Sequence, residues 1–432
     1  MFETDVDVIV VGAGSAGCAC AITLARAGKK VALIDRGDFA GAKNMFGGAV
    51  HIKAAQEIYP DLLNSAPIER FITRHNYAIL GKEDGTFIGY VNPQEPYESF
   101  STSKSKFDRW CVDQAIKEGV YFIPQTVVSS LIKYDGKVAG IKTAKEEFYA
   151  PLTVVADGVN SLLAQQIGLQ KDIKPKDVAL SVKHLLTLPK ETIEERFRLS
   201  DNTGSAYTIM GGPMLGMAGL AFIYTNQNSI SIGIGITLED LNNIEIRPHE
   251  LLGKLKEHPL INPLIKDTEL KEYSAHMIPE GGYHSVGKLY DDGVMVIGDA
   301  AMLVNNLHWE GANLAMMSGK FAALAAVEAL DKNDYSGKTL KKYKKLLDES
   351  FVMKDLKTYR NFMPLIENNS KTLLKFYPEK LNEFFKFFTS TDGIPKKQKY
   401  WTFIRGVIKE RGIFGLGSDA VKIAKLIMEI LL

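Results

Sequence analysis

The N-terminal run VDVIVVGAGSAG constrains the fold of this chain more than any other stretch. Val6–Val11 has the pattern of a short buried strand, followed by Gly12-Ala13-Gly14-Ser15-Ala16-Gly17 and a helix-like run over Cys18–Ala27. Gly28 stops that helix, Lys30–Ile34 reads as a second strand, and Asp35-Arg36 closes it. In such a strand–turn–helix, Gly12 makes the turn, Gly14 lets the backbone approach a pyrophosphate, and Gly17 lets the helix pack closely. Asp35 arrives 18 residues after Gly17, where a carboxylate can hold an adenosine ribose. The flanking strands and the terminal acid separate this pattern from a plain glycine-rich turn.

A second informative segment is VMVIGDAAMLVNNLHWEGANLAMMSG at 294–319. An apolar strand, Val294–Ile297, runs into Gly298-Asp299-Ala300, then a loop with His308 and Trp309, then Gly311-Ala312-Asn313 opening a helix. Helix starts offer N–H donors and a positive dipole end to an anion or an electron-rich ring edge. Asp299, at a strand end, is placed to accept hydrogen bonds from hydroxyl groups, although Gly-Asp-Ala can also be a plain N-cap.

A chain of 432 residues with 46% hydrophobic content can bury a large core and form two or three domains. A net charge of +1 gives no support for a nucleic-acid partner. Three cysteines (Cys18, Cys20, Cys111) supply neither a disulfide framework nor four cluster ligands, so no metal site is expected and a reducing compartment is. Glu3, Asp5 and Asp7 stand where a signal peptide would carry basic residues. No apolar run reaches the length of a membrane-spanning helix.

Gly37–Val50 reads as a glycine-rich loop, and residues 76–100 as short strands with turns at Gly81, Asp84-Gly85 and Asn92-Pro93. Ser105–Gly119 is an amphipathic helix with Phe107, Trp110, Cys111 and Ala115 on one face. Val120–Ile123, Val127–Leu131, Val138–Thr143 and Thr153–Val155 read as strands, with a hairpin turn at Asp135-Gly136. Asp157-Gly158 follows the last strand and faces a helix over Ser161–Gly168. Ala179–Thr187, Ala206–Ile209, Leu220–Tyr224 and Ser229–Thr237 suggest an inserted antiparallel sheet. From Thr339 the chain reads as helical. Its last 62 residues hold twelve Lys/Arg against six Asp/Glu, interleaved with aromatic residues such as Phe384, Phe388 and Trp401. The terminal helix, Asp419–Leu432, with Lys422, Lys425 and Glu429 on one narrow face, can lie on a membrane, dock on a partner or pack internally.

GAGSAG, Asp35-Arg36, Asp157-Gly158 and Gly298-Asp299 together resemble the FAD-binding pattern of flavoproteins with a single dinucleotide fold. That group includes aromatic hydroxylases, geranylgeranyl reductases and electron-transfer-flavoprotein:quinone oxidoreductases. GAKNMFGG at 41–48, SKFDRW at 105–110, PEGGYHSVGKLYDDGVMVIGDAA at 279–301 and HWEGANLAMMSG at 308–319 resemble the FixC/EtfC branch of the last family over most of the chain. The resemblance implies an α/β fold: a Rossmann-like, glutathione-reductase-type FAD-binding domain, an inserted antiparallel β-sheet domain facing substrate or quinone, and a C-terminal helical region. The expected boundaries are 1–75, 104–170 and 274–338 for the first, 76–103 and 171–273 for the second, and 339–432 for the third.

The resemblance further implies residue roles. Gly12, Gly14, Ser15, Ala16 and Gly17 would bind the pyrophosphate, Asp35-Arg36 the adenosine ribose, and Val128 the adenine through its backbone. Asn44, Gly47 and Gly48 would border the isoalloxazine, and Asp157-Gly158 would join the cofactor site. Gly298-Asp299 would hold the ribityl or pyrophosphate region. Gly311, Ala312 and Asn313 would present N–H groups to the pyrimidine edge, where a helix N-terminus stabilises negative charge. Lys104 and Lys106 stand where the family carries arginine; lysine neutralises a phosphate without the bidentate fork. Gly219-Leu220 stands at the glycine pair that would border the quinone. The cysteine-ligated C-terminal cluster domain of the longer enzymes is absent, its place in this branch being taken by a ferredoxin-like iron–sulfur subunit.

The function so implied is an FAD-dependent oxidoreductase subunit that accepts electrons from a reduced two-subunit electron-transfer flavoprotein and passes them to menaquinone or ubiquinone. Electron bifurcation in the assembled complex, and a cytoplasmic location peripheral to the inner face of the membrane, follow from the same resemblance. No catalytic residue is identified; His51, His276, His308 and Tyr283 are candidates to relay the protons that quinone reduction takes up. The rivals are an isoprenoid double-bond reductase, an aromatic hydroxylase and a non-catalytic flavin-bearing scaffold. A disulfide reductase is disfavoured by the lack of a second GxGxxG and of any Cys-x-x-Cys or Cys-x₄-Cys.

Overall fold

Val8–Val11, four apolar residues buried on both faces, form the central strand of a six-stranded sheet. This two-sided burial is what a parallel strand covered by helices requires. The strand order is Tyr290–Asp291, Val294–Val296, Leu152–Val155, Val8–Val11, Val31–Ile34, Tyr121–Ile123. All neighbours are parallel except the first pair. The register aligns Val296, Val155, Val11, Ile34 and Ile123 across the sheet, so five strands end level along one edge. The computed structural model describes Thr4, residues 6–43 and residues 45–431.

The chain divides into two compact units. The first, holding residues 1–71, 96–178 and 276–360, contains this sheet. It also holds a small antiparallel sheet of Val128–Tyr134, Lys137–Thr143 and Glu147–Tyr149. The hairpin turn falls at Asp135-Gly136, both with positive φ, as a two-residue hairpin demands. Behind the main sheet the helix Ser15–Arg26 packs on Ala312–Lys332. Their contact is set by small residues: a Cβ on Gly319 would sit 2.2 Å from the Ala16 carbonyl oxygen, so only glycine admits this approach. Cys18 and Cys20 are both fully buried, because the first helix is covered on every side.

The second unit, residues 72–95, 179–275 and 361–432, is built on an antiparallel sheet. Its strand order is Glu269–Pro279, Val178–Thr187, Ser229–Thr237, Gly219–Thr225, Thr203–Gly211, Arg70–Leu80, with Gly85–Val91 pairing the last. Alternation in SISIGIGIT points Ile230, Ile232, Ile234 and Ile236 into one core with Leu251, Leu252 and Leu255 of the helix Pro248–Glu257. Helices follow from Phe362 to Leu431.

The differences from the sequence expectations have local causes. Glu269–Pro279 is an exposed edge strand whose first five residues, ELKEY, show no apolar alternation. The helix after Asp157 is only Leu162–Gln166, because Ser161 takes a left-handed conformation and its hydroxyl donates to the Ala300 carbonyl. The terminal helix starts at Ile413 rather than Asp419, running through Gly415 and Gly417.

Candidate functional site

Four of the level strand ends of the first unit carry, one to three residues beyond, Gly12, Asp35, Asp157 and Gly298-Asp299. Residues far apart in the chain thus meet at the carboxyl edge of a parallel sheet, where open α/β sheets bind ligands. Gly12 has φ +105°, and a Cβ there would lie 2.1 Å from the Ala156 carbonyl oxygen. A Cβ on Gly17 would lie 1.8 Å from the Gly12 carbonyl oxygen. The turn is therefore glycine for steric reasons; Gly12 and Ala13 give their N–H groups to Ile34 and Asp35, and the helix opening at Ser15 leaves its first N–H groups for the edge.

Asp35 accepts from the backbone N–H of Ala13 (2.8 Å) and of Gly37 (2.7 Å), tying the second strand end to the glycine turn. Arg36 is exposed. On the other flank Asp157 Oδ2 accepts from the Leu163 N–H at 3.0 Å, while Oδ1 is buried with no hydrogen-bond partner. Burial pushes this carboxyl up to about 6 against the pull of backbone donors and of Arg36. Gly158 has φ +79° with open space where a Cβ would go.

Gly298 (φ +61°) donates its N–H to Ser318 Oγ at 2.9 Å, and a Cβ there would come within 2.7 Å of Ala16 Cβ. Asp299 follows in a short turn of 3₁₀ helix over Gly298–Ala301. Burial raises its carboxyl, and attraction to nearby Lys104 and His276 offsets only part of that rise. Lys104 is buried at the start of the helix Lys104–Lys117. It forms an ion pair with fully buried Asp108, lies 3.4 Å from Ser15 Oγ, and stands 5.6 Å from the centre of the Phe46 ring. Lys104 and the glycine turn therefore meet. Asp108, which the sequence reading passed over, raises its pKa by burial and is steadied by Lys104.

After Met302 (φ +57°) the chain forms a small loop closed by a bridge between Asn305 and Glu310. Asn306 Nδ2 donates to the Glu280 carbonyl at 2.7 Å, and the His308 ring meets Tyr359 at 5.3 Å. Trp309 is 45% exposed and holds a left-handed φ of +56°. Gly311 caps the helix Ala312–Lys332, and Asn313, buried in its first turn, leaves Oδ1 without a partner.

Other expected positions are less connected. Gly48 accepts the Thr102 N–H, Val128 begins a half-buried strand, and Asn44 lies outside the described residues. His51 precedes the helix Ile52–Gln56, and His276 Nδ1 engages the Met277 carbonyl. Tyr283 is half-buried beside His284. In the second unit, Gly219 pairs with Ile236, and a Cβ on it would lie 2.2 Å from the Gly235 carbonyl oxygen. Strand contact alone thus accounts for that glycine. Ser318 was not singled out from sequence because it acts on Gly298, 20 residues away, and Asp108 because its burial is a property of the fold. The Lys104–Asp108 i,i+4 spacing was the one local signal.

The atoms at this edge fit FAD. Helix-start N–H groups at Ser15–Gly17, buried orphan oxygens on Asp157 and Asn313, and a buried cation at Lys104 match a pyrophosphate flanked by hydroxyl and ring-edge groups. The fold and site define an FAD-dependent oxidoreductase. Residues 7–164 match the FAD dependent oxidoreductase family, and residues 362–427 match the ETF-QO/FixC family C-terminal domain. Protein FixC of Azotobacter vinelandii is 41% identical over 425 residues, covering 96% of this chain and 97% of that protein. Protein FixC of Azorhizobium caulinodans is 37% identical over 433 residues, covering 98% and 99%. The chain belongs to the FixC group of the ETF-QO family. Among solved structures, a geranylgeranyl bacteriochlorophyll reductase-like protein from Thermoplasma acidophilum superposes with a TM-score of 0.72 at 21% identity, covering 94% of this chain and 98% of that one. The FAD-dependent halogenase CndH, from a myxobacterium, gives 0.62 at 18% identity, covering 86% and 91%. These two likenesses concern the fold.

Proposed function

We propose that this chain is the FAD-containing subunit of an electron-transfer-flavoprotein:quinone oxidoreductase complex. It accepts electrons from a reduced electron-transfer flavoprotein, with a ferredoxin-like partner, and delivers them to a membrane quinone. The observation that carries the reading is the near full-length relationship to FixC proteins joined to a strand-end edge suited to FAD. Bound FAD would supply the electron-transfer chemistry, since no side chain here has a comparable redox role.

The residues of the chain hold and tune the cofactor. Gly12–Gly17 and Lys104 would take the pyrophosphate, and Asp35 the adenosine ribose. Asp299 would hold the ribityl side, and the start of Ala312–Lys332 would turn its N–H groups and positive dipole end to the ring. Asp157 would accept from a hydroxyl of the cofactor with its free oxygen. His308, beside Tyr359 and Asp355, is the candidate best placed to pass a proton from solvent towards the loop 305–310. Electron bifurcation, where it occurs, would be a property of the whole complex.

No helix among the described residues is long and apolar enough to cross a membrane. Peripheral contact with the inner face of the membrane is supported by exposed Phe385, Phe388, Trp401 and Phe414 among the lysines of the C-terminal helices, and by exposed Phe87, Ile88 and Tyr90 on Gly85–Val91.

The test is anaerobic turnover: purified protein with FAD, reduced electron-transfer flavoprotein, the ferredoxin-like subunit and a menaquinone analogue. Quinone reduction that depends on all of them is the expected result, and its absence would reject the proposal. Loss of prenyl unsaturation in an isoprenoid substrate would instead favour the double-bond reductase.

A further inference from the structure

We propose that Arg109, stacked on Phe39, latches the segment 37–43 along the adenosine half of the cofactor site and sets how slowly FAD leaves it. The Arg109 guanidinium carbon lies 3.4 Å from the centre of the Phe39 ring. Phe39 belongs to the segment that follows Asp35, and Arg109 to the helix Lys104–Lys117. The latch therefore joins the two elements that open on cofactor ligands: Asp35, which would take the adenosine ribose, and Lys104, which would take the pyrophosphate.

The path of the segment is fixed on both sides of this stack. Gly37 donates its N–H to Asp35 Oδ1 at 2.7 Å, and its carbonyl accepts the Gln125 N–H at 2.9 Å. Further on, Gly41 (φ +85°) lies so close to the helix that a Cβ would stand 3.0 Å from Ser105 Cα and 3.1 Å from Asp108 Cβ. Ser105 follows Lys104, whose Nζ is 3.4 Å from Ser15 Oγ. The chain thus runs from the ribose carboxylate to the pyrophosphate lysine, alongside a ligand that touches both. Ala40 is buried in the core beneath it, while exposed Arg109 and half-buried Phe39 close it from outside.

The chemistry of the contact calls for arginine. A planar, weakly hydrated guanidinium stacks on a ring face, which a compact and strongly hydrated ammonium does not. For a partly buried pair of this kind, the attraction corresponds to a factor of about five to thirty in a rate or an equilibrium. Arg109 acts through Phe39 and the segment behind it, so it is a positioning residue. The inference rests on FAD occupying the strand-end edge and is independent of the electron donor and acceptor.

The test uses the full-length protein loaded with isotopically labelled FAD and chased with excess unlabelled FAD; the label retained after desalting gives the release rate. Arg109→Ala and Phe39→Ala should each speed release about fivefold or more, with the melting temperature of the flavin-free protein unchanged. The double variant should release no faster than about twice the rate of either, because both changes remove one contact. Arg109→Lys keeps the charge without the plane and should behave like Arg109→Ala, whereas Phe39→Tyr keeps the ring and should stay within about twofold of the parent. Lys117→Ala, which removes a cation from the exposed end of the same helix, should also release like the parent. A parent that carries no FAD would overturn the cofactor assignment and the latch together. With flavin bound, the latch alone is overturned by release untouched in Arg109→Ala, by multiplying effects in the double variant, by Arg109→Lys matching the parent, or by faster release that only tracks a lower melting temperature.

Discussion

At the strand-end edge of the first unit, the groups turned outward are backbone N–H donors, carboxylates and one buried ammonium. In a cavity of the second unit lined by Ile79, Met210, Leu381, Phe384, Phe403 and Ile423 they are methyls, methylenes and ring faces. The edge recognises through atoms fixed by the backbone, so single glycines decide its shape. The cavity presents apolar walls, because the polar ends of Tyr377 and Lys380 are already paired with Asp419, Glu383 and Glu410.

The sharpest break of this contrast lies at Gly12. Gly12→Val places a Cβ 2.1 Å from a carbonyl oxygen at φ +105°, so the protein should purify without flavin, or fail to fold. Flavin absorbance against protein absorbance reads this directly. Lys104→Met comes next. It leaves Asp108 buried and unpaired, which should cost about 3–5 kcal/mol in denaturant unfolding. Lys104→Met with Asp108→Leu should recover most of that stability but not the FAD affinity, separating the fold role of the lysine from its cofactor role.

Asp157 gives a pH signature of about 3 kcal/mol. Its folded carboxyl, raised to about 6, binds a proton more tightly than the unfolded one. Stability of the flavin-free protein should therefore fall as pH rises from about 4 to about 6, then level off. Asp157→Asn should abolish that fall; an unchanged slope in unfolding curves would contradict the assigned burial. In the second unit, Asp419→Ala strips the two hydrogen bonds of Arg411 (2.6 and 2.7 Å) and should destabilise by about 1–3 kcal/mol. Flavin content should stay at the parent level, and a loss of flavin would weaken the division of labour. The smallest effect belongs to Gly158→Ala, where space is open and only φ +79° resists, at about 1 kcal/mol in melting experiments.

The same contrast explains what could be read before the fold was seen. Gly12, Gly14, Gly17 and Asp35 lie within one strand–turn–helix–strand unit, so their spacing alone announces a dinucleotide turn. Asp157 and Gly298-Asp299 were legible because each ends an apolar run, and parallel pairing then brought them level. Ser318 was not, since what matters is its contact with the Gly298 N–H, 20 residues back; Asp108 pairs with Lys104 within one helix, and only its complete burial, which the spacing does not show, gives that pair its weight. The edge strand Glu269–Pro279 escaped because a solvent-facing edge needs no apolar alternation. The cavity escaped for a stronger reason. Ile79, Met210, Phe384 and Ile423 are ordinary apolar residues, and nothing local distinguishes a wall from a core.

The central claim is that the strand-end edge holds one FAD whose redox state changes as electrons pass from the electron-transfer flavoprotein to a quinone. The most direct measurement is the visible absorption of the protein-bound flavin during rapid anaerobic mixing, first with the reduced partner and ferredoxin-like subunit, then with a menaquinone analogue. The account requires bleaching near 450 nm on the order of one flavin per chain, and recovery when the quinone is added. A flavin spectrum that stays constant while the complex turns over would contradict it and leave this chain a flavin-bearing scaffold.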